Sequence, residues 1–450
     1  MRCTGCASGI QDLMNEINVR RYALDLLCDI EREGKYTNIA LDFELNRRGV
    51  QGSDRALLTA LVYGVVERKI TLDYIIGMLS KRPLETVDRR VINLLRLGLY
   101  QIRYMDKIPP HAAVNESVAL GKNRGEAAFV NAILRAYLRC GEEIKFPDPS
   151  EDPVYAMSVE YSVSEWICRL FIESYGIQTA KEILESMSEV PDVTLRANTQ
   201  KVSRDRLLDI LRKSGVAAAL TELSKHGIRL LERTPVTALP GFSEGLYFVQ
   251  DEASQFCVDV LDPLPEQVVI DTCAAPGSKS FSAALLMENK GKVLSFDIHK
   301  KRIDMIRQGA DKLGITIIHP EYCDAKKPQA SLFGKADAVL CDVPCSGLGI
   351  LAKKPDIRYK EEESIQRLPE IQLEILRASA SYVKAGGVLV YSTCTINPAE
   401  NEEVVGRFLE EMPGYSLCDF PLSAGGMLTL LPHLHNTDGF FIAKMKKHIE

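Results

Sequence analysis

The sequence lacks any long apolar run. No stretch of its 450 residues approaches the roughly 20 consecutive apolar residues that cross a bilayer, although 46% of the residues are hydrophobic. The opening stretch, MRCTGCASGIQDLMNEI, contains no uninterrupted apolar segment of the kind found in signal peptides. We therefore expect a cytoplasmic protein that has no membrane partner, and a monomer as the default state.

The chain also lacks a cluster of cysteine and histidine with metal-ligand spacing. Its 12 cysteines should stay reduced in the cytosol, so we expect no disulfides. Most of them, such as Cys28 and Cys168, lie in apolar patterns that predict a core position. Cys3 and Cys6 stand isolated, in a stretch that a start at Met14 would remove. The sequence therefore predicts no metal site.

A diphosphate-binding fingerprint is missing as well. The loop CAAPGSKS in the C-terminal region has neither the spacing of a P-loop nor the G-x-G-x-x-G of dinucleotide-binding folds. This absence disfavours a nicotinamide-dependent dehydrogenase. A nucleotide ligand of this chain should therefore lack a diphosphate.

The hydrophobic pattern predicts three folded segments after a tail of residues 1–18. Residues 19–143 carry apolar residues at helical spacing and predict an all-α bundle. Residues 144–260 mix helical and strand patterns, which favours a small α+β module. Residues 261–450 alternate short strands with helices, as in a doubly wound parallel sheet, and YSLCDF and TDGFFIAKM supply the last two strands.

Charge is distributed unevenly along the chain. The net charge is −6, yet Val19–Cys140 holds 20 Lys and Arg against 14 Asp and Glu, a balance of +6 that leaves −12 for the rest. Such asymmetry is a hint that the helical segment binds a polyanion. A solvated surface of mixed charge explains the same count and stays open as the alternative.

Small and acidic residues follow successive predicted strands of the third segment. The loop of residues 273–280 precedes a helix, and its small side chains let backbone N–H groups approach a ligand. Asp297 ends the second strand, where a carboxylate can accept ribose hydroxyls, and Asp324 follows the third strand, where it can meet an adenine edge. S-adenosyl-L-methionine (SAM) is the leading candidate ligand; a tight turn and ordinary helix capping are the alternatives.

Two cysteines follow the next two strands. Cys345 comes after Asp342 and Pro344 in LCDVPCSGLG, and Cys394 comes after Thr393 in VYSTCTINP. If the two strands are neighbours, both thiols face one cleft. With a disulfide and a metal disfavoured, covalent chemistry remains: a thiolate that adds to carbon 6 of cytosine makes carbon 5 able to take a methyl group from a sulfonium.

The quoted motifs resemble known families. SDRALLTALVYGVV, LRLGLYQIRYMDKIPPHAAVNESVALGK and AAFVNAILR are similar to the NusB-like RNA-binding domain, with a helical domain that only packs against its neighbour as the alternative. DTCAAPGSKS, CDVPCSGLGIL with KKPDIR, and YSTCTINPAENE resemble RNA 5-methylcytosine methyltransferases. End to end, the chain resembles the bacterial 16S rRNA (cytosine-C5) methyltransferase B family of the Sun/NOL/NOP type, which implies a Rossmann-like class I SAM-dependent domain.

The resemblance implies a role for each matching residue. It makes Cys394 the nucleophile, Cys345 the group that assists product release, Asp342 a contact of the target base and Lys279 a supporting group. It assigns the SAM contacts to Cys273, Ala274, Ala275, Pro276, Gly277, Ser278, Lys279, Asp297, Asp324 and Asp342. It implies no metal, and a 16S rRNA substrate presented as a single-stranded loop or as unassembled subunit RNA.

The sequence departs from the family pattern at three places. Ser278 stands where the family usually has a second glycine, Tyr359 stands where Trp is common, and the first 18 residues have no counterpart. Two other functions stay open. One is a non-catalytic antitermination or assembly factor that binds RNA, and the other is a 5-methylcytosine methyltransferase that acts on tRNA.

Overall fold

The computed structural model describes residues 18–232 and 234–449. The predicted tail lies outside the described residues, except for its last residue, Asn18. The chain divides into two units: a helical unit, which runs up to Cys168 and includes Lys354–Tyr359, and a second unit formed by the remaining residues. Within the described ranges, no helix combines the length and the apolar character that crossing a membrane requires.

The helical unit is a bundle. Its helices are α1 (Val19–Glu33), α2 (Thr37–Arg48), α3 (Gly52–Glu67), α4 (Lys69–Leu79), α5 (Arg89–Tyr104), α6 (Pro110–Ala119), α7 (Arg124–Cys140), α8 (Pro153–Tyr161) and the start of α9 (Glu165–Tyr175). Short 3₁₀ turns occupy Leu84–Thr86, Gly141–Glu143 and Pro355–Tyr359. The all-α prediction for this part of the chain is confirmed.

Local sequence signals explain where these helices begin and end. The Asn18 side chain accepts a hydrogen bond from the Arg21 backbone N–H at 2.9 Å, and Asp88 does the same for Arg90 at 2.9 Å, so each caps a helix N-terminus. Gly34 ends α1 in the left-handed conformation that glycine adopts without strain. The apolar faces so positioned form one core around α5.

A buried cation joins three helices of this unit. The Arg96 guanidinium of α5 donates to both carboxylate oxygens of Asp73 on α4, at 2.6 and 2.7 Å, and to Glu31 on α1 at 2.6 Å. Burial alone would lower the pKa of Arg96, but these two carboxylates raise it above its ordinary value. The ion cluster therefore remains charged and fully paired inside the bundle.

The segment Lys354–Tyr359 belongs to the helical unit although residues of the second unit precede and follow it in sequence. Asp356 accepts hydrogen bonds from both the backbone N–H and the hydroxyl of Thr37, at 3.0 and 2.6 Å, and so holds the start of α2. The Tyr359 hydroxyl donates to the Val66 carbonyl at 2.6 Å and accepts from the Lys69 backbone N–H at 3.1 Å. Tyr359 therefore bridges the end of α3 and the start of α4.

The second unit begins with a small α+β module. Its elements are α10 (Ile177–Ser186), β1 (Val193–Ala197), α11 (Arg204–Lys213), β2 (Ala218–Leu220), β3 (Gly227–Leu230), β4 (Tyr247–Val249) and α12 (Glu252–Leu261). The four strands form an antiparallel sheet in the order β2-β3-β1-β4. Leu195, Leu207 and Ile228 are fully buried in the core that this sheet shares with α11.

A larger sheet follows. Its strands are β5 (Val268–Asp271), β6 (Lys292–Asp297), β7 (Ile318–Tyr322), β8 (Ala336–Asp342), β9 (Val383–Thr393), β10 (Tyr415–Leu417), β11 (Met427–Leu430) and β12 (Phe440–Lys447). The intervening helices are α13 (Ser278–Leu286), α14 (Lys300–Leu313), α15 (Leu368–Ala380), α16 (Glu402–Glu411) and α17 (Pro432–His435). The predicted multidomain fold class is confirmed, whereas the exact limits of its domains stay a prediction.

The strand order places a crevice beside β5, in the middle of this sheet. The order is β10-β12-β9-β8-β5-β6-β7, with β11 paired to β12, and β5 through β9 run parallel. Because β5 lies between β6 and β8, the connections that leave these strands go to opposite sides. Ligands of such sheets bind at this switch point, outside the carboxyl ends of the strands.

Candidate active site

Two cysteines meet at the carboxyl ends of β8 and β9. Cys345 lies three residues beyond the end of β8, and Cys394 directly follows β9. Their sulfurs are 3.2 Å apart, which is a hydrogen-bond contact and is much longer than the about 2.05 Å of a disulfide. Both side chains are half-buried. The structure therefore brings the two predicted catalytic thiols into one contact.

An ion pair lies at the same edge of the sheet. Asp342 ends β8, and its two carboxylate oxygens accept hydrogen bonds from Lys279 Nζ and from the Ser392 hydroxyl, each at 2.8 Å. Burial alone would lower the pKa of Lys279, but the carboxylate of Asp342 raises it above its ordinary value. Lys279 Nζ also lies 5.2 Å from the centre of the Phe440 ring. The lysine therefore stays an ammonium ion beside the Asp342 carboxylate.

The loop after β5 turns sharply before α13. Its backbone is held by hydrogen bonds from Ala274 N–H to the Phe296 carbonyl at 2.8 Å and from Gly277 N–H to the Ala274 carbonyl at 2.7 Å. Gly277 has a φ of 110°, and a Cβ there would meet the Phe281 ring at 2.6 Å. Glycine is required at this position, and Ser278 begins the helix in ordinary geometry.

Asp271 is a candidate site residue that was not identified from the sequence. It ends β5, and one of its oxygens accepts a hydrogen bond from the Ser280 hydroxyl at 2.7 Å, which in turn accepts one from Ser295 at 2.8 Å. Its other oxygen is buried and has no partner among the described residues. Burial raises the pKa of Asp271 to about 7. Its position at the end of an apolar strand was the signal that could have identified it.

Asp297 and Asp324 lie at the ends of the next two strands. Asp297 is buried, and one of its oxygens accepts the His299 backbone N–H at 2.7 Å. Asp324 accepts the Lys326 N–H at 3.1 Å, and the intervening Cys323 N–H donates to the Asp297 carbonyl at 3.2 Å. Both acids therefore lie at the carboxyl edge that also carries the loop and the thiols.

Glu400 connects the two cysteine-bearing loops. It is fully buried, and it accepts hydrogen bonds from the Ser346 backbone N–H at 2.8 Å, from Gln372 at 2.9 Å and from Asn397 at 3.1 Å. The Ser346 and Thr395 hydroxyls share a further hydrogen bond of 2.8 Å. Glu400 lies in the motif YSTCTINPAENE, but its role could not be predicted, because a local pattern does not reveal the partner of a buried acid.

Three more hydrogen bonds hold the turn that carries Cys394. Asn401 accepts from the Thr393 hydroxyl at 2.6 Å and donates to the Thr395 carbonyl at 3.0 Å, so it spans the cysteine on both sides. The Gly349 N–H donates to the Cys394 carbonyl at 3.0 Å. A Cβ on Gly349 would lie 1.8 Å from the Gly439 carbonyl oxygen, so no larger residue fits.

Among the residues that the structure describes, no group of three or more His, Cys, Asp or Glu could hold a metal ion. The described cysteines also form no disulfide. The polar groups at this edge include the buried acid Asp271 with one unpartnered oxygen, the Lys279–Asp342 ion pair and two cysteine thiols in contact. This set can bind a cationic or hydroxylated ligand and can perform nucleophilic and proton-transfer chemistry.

Comparisons with known families match all three regions of the chain. The 16S rRNA methyltransferase RsmB/F family matches residues 258–446, the NusB family matches residues 17–139, and the ferredoxin-like domain of RsmF/B-like methyltransferases matches residues 163–237. The last match identifies the fold type of the small α+β module.

Solved structures share this architecture. The crystal structure of PH0851 covers 95% of this chain and 98% of its own, with a TM-score of 0.80 and 25% identity. A methyltransferase homologue from Pyrococcus horikoshii covers 66% of this chain and 99% of its own, with a TM-score of 0.58 and 27% identity. The structure of NSun6 from Pyrococcus horikoshii with SFG, at 23% identity and a TM-score of 0.58, shares the fold over 63% of this chain and 98% of its own.

Curated relatives match the chain from end to end. The probable ribosomal RNA small subunit methyltransferase B of Bacillus subtilis (strain 168) is 40% identical over 96% of this chain and all of its own length. That of Synechocystis sp. (strain ATCC 27184 / PCC 6803 / Kazusa) is 37% identical over 96% of this chain and all of its own. The resemblance drawn from the motifs is thereby confirmed: this chain belongs to the ribosomal RNA small subunit methyltransferase B family.

Proposed function

We propose that this protein methylates carbon 5 of a cytosine in 16S rRNA, with SAM as the methyl donor and Cys394 as a covalent nucleophile. One observation carries the proposal: the Cys345 and Cys394 sulfurs lie 3.2 Å apart at the ends of adjacent parallel strands, and the first of these strands ends in Asp342, which is paired with Lys279 of α13. The names of the full-length relatives support small-subunit rRNA as the substrate.

The polar groups at the ends of β5 to β7 fit SAM. The unpartnered buried oxygen of Asp271 can accept a hydrogen bond from an ammonium group, and Asp297 retains an oxygen for ribose hydroxyls. In the proposal, the loop Cys273–Lys279 lies against the methionine part and Asp324 meets the adenine. When bound there, SAM supplies an electrophilic methyl group.

Cys394 begins the reaction in this proposal. Its thiolate adds to carbon 6 of the cytosine, and the electron pair of the C5–C6 double bond makes carbon 5 nucleophilic. Asp342 accepts a hydrogen bond from the cytosine amino group. Lys279, an ammonium 2.8 Å from Asp342, provides the proton that ring nitrogen 3 takes up as the adduct forms.

Cys345 completes the cycle. Once Cys394 is bonded to carbon it is a neutral thioether, so it no longer holds the Cys345 proton and Cys345 can release that proton to water. The Cys345 thiolate then accepts the carbon 5 proton. The electrons of the C5–H bond re-form the C5–C6 double bond, and the electron pair of the C6–sulfur bond leaves with Cys394. Nitrogen 3 returns its proton to Lys279.

The helical unit offers a basic cavity for the rRNA backbone. The cavity has a volume of about 1000 Å³ and is lined by Arg21, Arg32, Arg48, Arg90 and Lys122, with Asp25 and Asp29 as the acidic side chains. Lysine and arginine bind phosphates by charge. The target cytosine must leave any base stack to reach the sulfurs, so a single-stranded loop or unassembled subunit RNA is the proposed substrate.

Substitution of the two cysteines tests the proposal. Cys394→Ala should lower methylation by about 10³-fold or more, because it removes the sulfur that bonds to carbon 6 in the proposed mechanism. Cys345→Ala should still form the adduct but release it slowly, so a covalent protein–RNA species accumulates on denaturing gels. Bisulfite sequencing of total RNA from cells that lack the protein, with and without each variant, identifies the modified cytosine.

A matched control is Cys418→Ala, which removes another half-buried thiol of the same unit and should leave methylation unchanged. Normal turnover by Cys394→Ala would show that Cys394 is not the nucleophile. Failure to bind SAM in a calorimetric titration would favour the non-catalytic RNA-binding factor instead. Loss of 5-methylcytosine from tRNA alone would make tRNA the substrate.

A further inference from the structure

The two sulfurs share one contact but have different surroundings. A hydrogen bond between two sulfurs needs one proton, and the distance of 3.2 Å allows either sulfur to donate it. If the proton stays on one sulfur, the other is free to be the thiolate. The charges around each cysteine decide between these two arrangements, because charge interactions are strong where water is excluded.

A carboxylate lies on the Cys345 side of this contact. Glu400 accepts three hydrogen bonds, and all three donors are N–H groups that cannot accept a proton in return: the Ser346 backbone N–H and the amides of Gln372 and Asn397. Glu400 therefore acts only as an acceptor, which is the behaviour of an ionised carboxylate. Ser346 directly follows Cys345, so this negative charge is fixed behind the Cys345 loop.

An ammonium ion lies on the Cys394 side. Lys279 is held by Asp342 at 2.8 Å, and its charge and that of a Cys394 thiolate stabilise each other. Two further titratable groups contact this region: the Tyr391 hydroxyl donates to the Glu400 carbonyl at 2.6 Å, and Lys360 Nζ donates to the Ser346 carbonyl at 2.6 Å. Burial raises the pKa of Tyr391, so it stays neutral, and Glu400 is among the main influences on the pKa of Cys345 whereas Lys360 is not.

The titration of Cys345 agrees with this asymmetry. The hydrogen bond to Cys394 is the largest influence, followed by burial, the charge of Cys394 and the charge of Glu400, and together they hold the pKa of Cys345 well above its ordinary value. A thiol in this setting keeps its proton at neutral pH and donates it to a neighbouring anion.

We propose that Glu400 is a positioning residue that keeps the shared proton on Cys345 and so leaves Cys394 as the thiolate. Glu400 touches no reacting atom; it acts through the backbone of Ser346 and through its charge. The inference deepens the proposed function, because it explains why two adjacent cysteines take different roles. It concerns the protein before any substrate binds, so it can be tested without RNA or SAM.

The test is alkylation of the full-length protein by iodoacetamide between pH 6 and pH 9, kept to about one label per ten molecules. Mass spectrometry locates the label on Cys394, Cys345 or the buried Cys341 and yields a rate for each sulfur at each pH. In the wild type, the Cys394 rate should reach half of its maximum at a lower pH than the Cys345 rate. Only thiolates react, so each profile reports the proton on that sulfur.

Glu400→Gln keeps the shape of the side chain and removes its charge. It should lower the half-maximal pH of Cys345 by about one unit, which is a tenfold rise in its labelling at low pH, because the thiolate no longer faces an anion. Glu403→Gln, which changes an exposed glutamate three residues further along the chain, should leave both profiles unchanged. A purely structural role for Glu400 would alter rates at every pH without moving the midpoint.

Two results would overturn the inference. One is a wild-type protein in which Cys345 reacts at lower pH than Cys394, and this outcome needs no variant to fold. The other is a folded Glu400→Gln, verified by thermal melting, with the Cys345 midpoint of the wild type. A protein that fails to methylate RNA but shows the expected profiles would contradict the proposed function and leave this inference standing.

Discussion

Buried charges are handled differently in the helical unit and at the carboxyl edge of the large sheet. In the helical unit, Arg96 is matched by Asp73 and Glu31, and each charge meets a charge of opposite sign. At the sheet edge, Asp271 keeps a buried oxygen without a partner among the described residues, and two thiols share a hydrogen bond that either sulfur can donate. The first arrangement holds helices together, whereas the second leaves capacity for a ligand and for chemistry.

This contrast shows why the two sets of residues should respond differently to substitution. When one partner of a fully paired buried cluster is removed, the remaining charge is left without compensation and the free energy of unfolding falls. A group that is raised in pKa by burial and only partly hydrogen-bonded costs stability in the unliganded protein. Substitutions on the helical side should therefore affect stability first, and those on the sheet side should affect activity or its pH dependence.

The largest effect on stability is expected from Arg96→Met. It leaves the carboxylates of Asp73 and Glu31, whose side chains are 27% and 24% exposed, without their cation. Because water screens part of the remaining charge, the cost should lie at the lower end of the range for a broken buried ion pair, about 3 kcal/mol. Urea unfolding measures the change. Arg32→Met, which removes a solvent-exposed arginine from a surface pair, is the control and should unfold as the wild type does. A decrease in the free energy of unfolding below about 1 kcal/mol for Arg96→Met would contradict the view that the paired charges of the helical unit serve stability.

Lys279→Met tests the other side of the comparison. It removes the ammonium that neutralises Asp342 and that supplies the nitrogen 3 proton in the proposed mechanism, so turnover should fall by about 100-fold. Single-turnover methylation of rRNA measures this rate. Lys290→Met, at an exposed lysine of the same unit, should keep the wild-type rate. An unchanged rate in Lys279→Met would show that the ion pair serves only to hold β8 against α13.

Asp271 should make the stability of the sheet side depend on pH. Burial raises its pKa to about 7, whereas an unfolded aspartate titrates near about 3.9. Between these values the native state binds more protons than the unfolded state, so the contribution of Asp271 is complete below about pH 4 and is lost as the pH rises to about 7.

Asp271→Asn should therefore flatten the decline in stability with rising pH, by at most about 1.4 kcal/mol per pH unit. Urea unfolding at several pH values between 4.5 and 7 measures the slope. Asp304→Asn, at an exposed position, should leave the slope as it is. A slope that is the same in Asp271→Asn and the wild type would mean that Asp271 stays ionised throughout this range.

The smallest effect is expected from Tyr359→Phe. The hydroxyl donates to Val66 and accepts from Lys69, so its removal leaves these two backbone groups without that partner and should cost about 1 kcal/mol. Thermal melting measures the change, and Tyr36→Phe at an exposed position is the control. The Trp that is common here in the family cannot accept the Lys69 N–H, because an indole only donates. An unchanged melting temperature would mean that water replaces the hydroxyl.

Much of the architecture was predictable from periodicity. Apolar residues at helical spacing identified the all-α segment, and short strands ending in Asp297 and Asp342 identified the parallel sheet and its functional edge. β11 (Met427–Leu430) was missed, since its four residues lie between turn residues and form a strand only by pairing with β12. Short strands of this kind are decided by their partner and not by their own propensity.

The sequence by itself determined which elements form, the order in which they follow and which side chains end the parallel strands, because those features depend on local spacing. Only the tertiary structure decided that Glu400 accepts the N–H of Ser346, 54 residues away, and that Tyr359 bonds Lys69 across 290 residues. Such pairs form when folding buries a polar group that must find a partner, and that partner is set by the packing of distant elements and not by the residues beside it.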